Sequence, residues 1–161
     1  MTRITIALAS LLLLTAPAHA ANYVIIAEDA QVAATADAAW AKIGGFCGIA
    51  DWTDFECAIT AGDGGTGTVR LLDGEIEEVI VGSTATSHTY LQTVGSFVAA
   101  GYHGTVSVTP NADGTTSTLR WVGIYDEAAL ADDAARAATR ERLTGFYKMG
   151  AAKMKTLAEA E

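Results

Sequence analysis

Short runs of apolar and β-branched residues fill the middle of the chain, and glycine-rich turns separate them. The turns at 62–65, 73–74 and 111–114 have the composition of hairpin connections. This pattern predicts an antiparallel sheet. Its predicted strands are 22–27, a strand beginning at Cys57, 66–72, 75–81, 87–94, 102–109 and 116–125.

Helical spacing of apolar residues occurs on both sides of the later strands. Residues 35–44 carry Ala36, Trp40 and Ile43 at this spacing and end at glycine, which predicts a short helix. A second pattern between 128 and 159 predicts one long C-terminal helix. The apolar face of this helix needs the concave face of the sheet, so the order of elements predicts an α+β domain.

Two glycines, Gly145 and Gly150, interrupt the predicted C-terminal helix. Each one lowers helix stability by roughly 1 kcal/mol relative to alanine. Either close packing against a neighbour or room for a bound molecule would offset this loss.

The N-terminus has the pattern of a secretory signal. Arg3 precedes an apolar run at 4–14, and small residues follow at Ala18 and Ala20. We expect cleavage after Ala20 and no stable membrane insertion afterwards, although a retained anchor is the alternative; the run is shorter than the roughly 20 residues that span a bilayer. Residues 21–161 then form a single exported domain, either periplasmic or secreted.

The chain is acidic, with 10 basic and 19 acidic side chains. This balance opposes binding to nucleic acid or to anionic lipid. The excess of acidic side chains either keeps the protein soluble or, alternatively, forms an acidic face that docks a partner. We expect neither metal nor cofactor: His88 and His103 lack ligand spacing, and the stretch GDGGTG has no P-loop lysine and precedes a strand.

Cys47 and Cys57 are the only cysteines. In an exported protein they meet an oxidising compartment, so we expect a disulfide between them. By the loop-entropy model such a bridge contributes roughly 2 to 3 kcal/mol. The alternative is a pair of buried thiols that act as small apolar groups.

Several local strings together resemble the START-related, polyketide cyclase/dehydrase-like (SRPBCC) superfamily over about residues 22–158. The strings are ADAAWAKIGGFCGIADW, GTVRLLDGEIEEVI, GYHGTVSVTPNADGTTSTLRW and FYKMGAAKMKTL. The resemblance implies a helix-grip fold, in which a curved antiparallel sheet wraps a long C-terminal helix around an apolar cavity, with two short helices after the first strand. Members include lipid carriers, hormone receptors and aromatase/cyclases, so the family alone leaves the chemistry open.

A charged pair is the main candidate for a polar anchor in this cavity. A two-residue loop at 73–74 would pair Arg70 with Glu77 on one face of the sheet. Strand alternation by itself would turn Val69 and Leu71 inward and leave the pair in solvent. The resemblance implies the opposite, with Arg70 and Glu77 inside, where they would bind a carboxylate or hydroxyl of a ligand.

The resemblance and strand alternation together define the remaining candidates. Tyr102 matches an inward aromatic of the superfamily, which places His103 outside. Trp121 and Tyr125 share a face that we expect to be inward, and Trp52 matches a tryptophan that lies either beside the cavity or in the core. The candidate ligand-binding residues are Trp52, Arg70, Glu77, Tyr90, Tyr102, Trp121, Tyr125, Phe146, Met149 and Gly150.

Three functions fit these observations. The first is an exported binding protein for an apolar or amphipathic ligand, lipid-like or polyketide-like. The second is a cyclase- or dehydrase-type enzyme, for which Glu77, Tyr90, Tyr102 and Tyr125 are the available acids or bases. The third is a protein-interaction domain whose cavity is filled by side chains. No catalytic constellation is visible, so no catalytic residue is assigned.

Overall fold

The structure is a computed structural model that describes residues 20–160. The predicted signal segment, apart from Ala20, lies outside these residues. Strands and helices follow in the order that the sequence predicts. The strands are β1 (Tyr23–Val32), β2 (Cys57–Ala61), β3 (Val69–Leu72), β4 (Ile76–Thr84), β5 (Ser87–Val94), β6 (His103–Pro110) and β7 (Ser117–Asp126), and the α-helices are α1 (Ala36–Ile43), α2 (Ile49–Trp52) and α3 (Asp133–Glu159).

All strands join one 7-stranded antiparallel sheet with the order β1-β7-β6-β5-β4-β3-β2. The first strand is longer than predicted because it pairs with β7 from Tyr23 to Val32. The helix α3 buries one face against the inner side of the sheet, through Leu143, Tyr147, Gly150, Ala151, Met154 and Ala158. This arrangement confirms the predicted helix-grip fold.

Side-chain oxygens set the beginning of both longer helices. Thr35 caps α1 by accepting a hydrogen bond from the Ala38 amide at 3.3 Å. Asp132 caps α3 in the same way, with its Oδ1 2.8 Å from the Ala135 amide. The predicted C-terminal helix therefore begins later than expected, and a short 3₁₀ turn at Glu127–Ala129 precedes it.

The hairpin between β3 and β4 corrects the predicted register. Leu72 pairs with Ile76, so the loop contains Asp73, Gly74 and Glu75. Asp73 and Gly74 both have positive φ, at 51° and 73°, and the Glu75 amide closes the turn on the Leu72 carbonyl at 3.0 Å. The predicted two-residue loop was wrong.

This longer loop moves the β4 residues by one position relative to Arg70. Arg70 consequently pairs with Glu78 and not with Glu77. Because successive strand residues point to opposite faces, the shift exchanges which glutamate is buried.

A disulfide joins Cys47 to Cys57, with their Cα atoms 5.5 Å apart, as predicted. It connects the 3₁₀ turn Phe46–Gly48 to the first residue of β2. The segment between α1 and the sheet is thereby fixed to the edge strand. Among residues 20–160, no helix is both long and apolar enough to cross a membrane.

Candidate ligand-binding cavity

A cavity of about 130 Å³ lies between the inner face of the sheet and α3. Aromatic side chains form much of its wall: Phe55, Phe97, Tyr102, Trp121 and Phe146. The polar lining consists of Glu78, Tyr90, Gln92, Ser96 and Arg142. An apolar interior with a few polar groups is the usual composition of a small-molecule site.

Trp121 is the centre of the aromatic packing beneath this cavity. Its ring stacks on Tyr147, with centroids 3.9 Å apart, and meets the edge of Trp52 at 4.8 Å. Phe146 contacts it from α3 at 5.3 Å. These rings occupy most of the space between helix and sheet, so the cavity is small.

Glycines make room for the buried aromatic rings. A Cβ at Gly150 would lie 2.5 Å from a ring carbon of Trp121, so only glycine fits here on α3. Gly104 on β6 lies beneath the Tyr90 hydroxyl in the same way. Close packing therefore explains Gly150, whereas Gly145 has open space around its Cα.

Buried tyrosine hydroxyls form a hydrogen-bonded group at the inner end of the cavity. The Tyr102 and Tyr147 hydroxyls lie 2.5 Å apart. Tyr90 accepts a hydrogen bond from the Trp121 indole at 3.0 Å. Burial raises the pKa of Tyr102 and of Tyr147 well above the ordinary value, so both hydroxyls keep their protons at neutral pH.

Arg70 lies inside the protein, as predicted, and all of its polar contacts are with the protein itself. The guanidinium lies between the rings of Phe46 and Tyr90, 4.2 Å and 4.7 Å from their centroids. Its Nε donates to Glu78 at 2.8 Å, and its Nη1 donates to the Phe46 carbonyl at 2.5 Å. The group is 1% exposed and lies behind the cavity wall, so it does not face a ligand.

Glu78, not Glu77, is the acidic residue of the cavity. Its burial raises the pKa of the carboxyl, while the nearby charge of Arg70 acts in the opposite direction. Glu77 lies on the other face of β4, where its Oε1 accepts a hydrogen bond from Thr93 at 2.7 Å. The assignment of Glu77 as an inward anchor was wrong because it depended on the two-residue loop.

The other candidates divide into wall residues and residues behind the wall. Tyr90, Tyr102, Trp121 and Phe146 line the cavity. Trp52, Tyr125 and Gly150 are buried but contact the wall residues rather than the cavity. Met149 is 39% exposed and does not line the cavity, unlike the predicted role.

Comparison with protein families identifies the chain. A family model described as polyketide cyclase / dehydrase and lipid transport matches residues 24–159. The chain belongs to this family. The match covers β1 through α3 and confirms the predicted superfamily. A search of curated proteins finds no sequence that matches this chain.

Solved structures of similar fold include members of several functional classes. The Zhui aromatase/cyclase from Streptomyces sp. R1128 has a TM-score of 0.71 at 16% identity, covering 85% of this chain and 94% of its own. Norcoclaurine synthase from Thalictrum flavum has a TM-score of 0.63 at 18% identity, covering 92% and 96%. XoxI from Bacillus cereus has a TM-score of 0.65 at 23% identity, covering 82% and 93%. At these identities the similarity shows a shared fold and nothing about activity.

His88 is a buried residue that the sequence analysis left unassigned. It packs among Trp40, Phe46 and Tyr90, with the first two ring centroids 5.4 Å away. Burial, together with the charge of Arg70, lowers its pKa to about 4. The alternation of β5, in which His88 shares a face with Tyr90, was the signal that could have placed it inside.

Gln92 and Arg142 are cavity residues that the sequence analysis also missed. Gln92 follows Tyr90 on the inner face of β5, and its Oε1 accepts a hydrogen bond from the Phe97 amide at 2.7 Å. This contact fixes the loop between β5 and β6 over the cavity. Arg142 lies on α3, with its guanidinium 5.5 Å from the centre of the Phe97 ring.

Proposed function

We propose that the protein is an exported small-molecule binding protein that holds an apolar or amphipathic ligand between the sheet and α3. The observation that carries this proposal is the cavity itself, because its aromatic walls and few polar groups suit such a ligand. The predicted secretory signal and the Cys47–Cys57 disulfide support export to the periplasm or beyond.

The volume of the cavity limits the size of the ligand. Pockets for drug-sized ligands measure roughly 300 to 1,000 Å³, and this cavity measures about 130 Å³. An engineered apolar cavity of about 150 Å³ binds one benzene molecule. A ligand with a single aromatic ring therefore fits, whereas a lipid chain or a polycyclic polyketide requires the surrounding rings to move.

The structural relatives are consistent with a ligand of this size. The norcoclaurine synthase structure contains dopamine and hydroxybenzaldehyde, each with one ring. A helix-grip cavity is thus able to admit single-ring compounds.

An enzyme of cyclase or dehydrase type is the second candidate, and Glu78 is the observation in its favour. A carboxyl whose pKa is raised by burial is suited to proton transfer when it faces a ligand. This role is tested by incubating candidate aromatic ligands with the wild-type protein and with Glu78→Gln, and by detecting any product by mass spectrometry. Conversion by the wild type alone supports it, and unchanged compounds with both proteins exclude it for those compounds.

Isothermal titration calorimetry with aromatic probes of increasing size tests the binding proposal. We expect phenol and 4-methylphenol to bind the wild type and 1-naphthol to be rejected. Phe146→Ala enlarges the cavity and should admit 1-naphthol. Met149→Ala, on the exposed side of the same helix, should leave the size limit unchanged.

The proposal fails if no single-ring probe binds the folded protein. Native mass spectrometry of protein purified from the periplasm provides an independent check, since a co-purified ligand should have a mass in the single-ring range.

A further inference from the structure

Arg142 differs from the other arginines of the described residues. Each of the others contacts a carboxylate within 2.8 Å; these pairs are Arg70–Glu78, Arg120–Asp29, Arg136–Asp133 and Arg140–Glu127. Within residues 20–160, Arg142 forms no ion pair and donates no hydrogen bond. Its positive charge is therefore available to a molecule from outside.

The position of Arg142 directs this charge toward the cavity. It lies one turn before Phe146 on α3 and next to the buried Leu143, and all three residues line the cavity. Its side chain is exposed, and the contact with the Phe97 ring holds the guanidinium over the loop between β5 and β6. One end of a cavity with mainly aromatic and aliphatic walls thus carries a cation.

A second polar group lies on the sheet side of the cavity. Gln92 is 6% exposed, and its Oε1 is occupied by the Phe97 amide. Its Nε2 donates to no acceptor among residues 20–160. A ligand oxygen on the sheet side of the cavity would accept a hydrogen bond from Gln92 Nε2.

We propose that the ligand is a single-ring aromatic carboxylate that carries a hydroxyl on its ring. This inference rests on the proposed binding function. The carboxylate pairs with Arg142 at the cavity entrance, the ring packs against Trp121 and Phe146 in the cavity wall, and the hydroxyl accepts a hydrogen bond from Gln92 Nε2. Guanidinium and carboxylate form strong paired hydrogen bonds, which favour an anion over a neutral analogue of the same shape.

Arg142 is a local positive charge on a protein whose net charge is negative. The formal charge of −9 repels an anion in general. At physiological salt such repulsion is screened beyond about 8 Å, so the adjacent Arg142 dominates the potential at the entrance. A carboxylate at the cavity entrance is therefore attracted to this position despite the net negative charge.

The test compares 4-hydroxybenzoate with 4-hydroxybenzamide, its neutral isostere, and with 4-methylphenol, which lacks the carboxyl group. Affinities are measured by calorimetry at low salt for the wild type, Arg142→Gln, Arg142→Lys and Arg120→Gln. The Arg120 variant removes the same charge from a solvent-exposed ion pair on the outer face and is the matched control. Circular dichroism confirms that each variant is folded.

We expect the wild type and Arg120→Gln to prefer the acid over the amide by roughly 5- to 20-fold. The preference should disappear in Arg142→Gln, return in part in Arg142→Lys and decrease at higher salt. Equal binding of acid and amide by the wild type, or an unchanged preference in Arg142→Gln, would overturn the inference. Binding of 4-methylphenol in that case would leave the proposed function intact, whereas failure of every probe would overturn both.

Discussion

The Arg70 guanidinium and the Glu78 carboxylate form an ion pair inside the protein, with Nη2 2.6 Å from Oε2. Their side chains are 1% and 5% exposed, so neither charge is stabilised by water. Two aromatic rings and the Phe46 carbonyl complete the surroundings of Arg70. Breaking such a pair from one side leaves an uncompensated buried charge, which is costly.

Glu78→Gln should therefore lower the free energy of unfolding by about 3 kcal/mol, because it leaves the Arg70 charge buried and unpaired. Glu77→Gln is the matched control on the outer face and should change stability by less than about 1 kcal/mol. Urea denaturation monitored by tryptophan fluorescence measures both. A larger effect at Glu77 than at Glu78 would contradict the three-residue loop.

The double variant Arg70→Met/Glu78→Met tests whether the ion pair itself stabilises the protein. Replacing both charges with apolar side chains of similar volume removes the unpaired charge, so the double variant should be more stable than Glu78→Gln. If it is less stable, the pair contributes to stability beyond compensating its own burial.

His88 should make stability depend on pH. Its pKa is about 4 in the folded protein and 6.5 as the ordinary value, so the unfolded state binds more protons between these values. The stability contributed by neutral His88 is present above pH 6.5 and is lost as the pH falls toward 4. The full difference between these two pKa values corresponds to roughly 3 kcal/mol, of which only part is lost between pH 7 and pH 5.

Urea denaturation at pH 7 and pH 5 measures this loss in the wild type, in His88→Leu and in His103→Asn. The leucine variant should lose less stability between the two pH values than the wild type. The variant at His103 retains the buried histidine and serves as the control. Equal losses in the wild type and His88→Leu would exclude His88 as the source.

The glycines of α3 should respond to alanine in opposite directions. Gly150→Ala places a methyl group against the buried Trp121 ring, and overpacking of this kind costs about 1 to 3 kcal/mol. Gly145→Ala meets open space and should stabilise the helix by up to about 1 kcal/mol. Thermal denaturation of both variants measures the difference, and a stabilising Gly150→Ala would show that Trp121 moves away easily.

Loss of the disulfide should lower stability without changing the fold. Cys47→Ser/Cys57→Ser removes a bridge between residues separated by 10 positions, for which the loop-entropy model gives about 2 to 3 kcal/mol. Reduced wild-type protein should unfold at the same urea concentration as the double variant. If the wild type unfolds at the same urea concentration with and without reductant, the bridge contributes nothing to stability.

Local sequence patterns were sufficient for the elements and for most of the inner face of the sheet. Thr35 and Gly44 mark the two ends of α1, as the capping pattern predicts. The resemblance correctly placed Tyr102 inside, and alternation from it placed His103 on the outer face; Trp121 and Tyr125 share the inward face that was expected. These predictions succeeded because strand and helix periodicity act over a few residues and do not depend on distant parts of the chain.

The partner of Arg70 and the cavity residues depended on longer-range geometry. One additional residue in the turn after Leu72 exchanges Glu77 for Glu78, and composition does not distinguish these two loop lengths. Arg142 and Gln92 meet at the cavity only because α3 crosses the sheet at that point.

The sequence by itself determined the superfamily, the order of strands and helices, the inward side of β6 and β7 and the disulfide pair. The tertiary structure decided which glutamate neutralises Arg70, how much of the interior Trp121 and Tyr147 fill, and which arginine faces the cavity. Periodicity and the choice of the only two cysteines are local properties of the chain. Cavity volume and charge pairing arise from side chains that are distant in sequence, and packing brings them together.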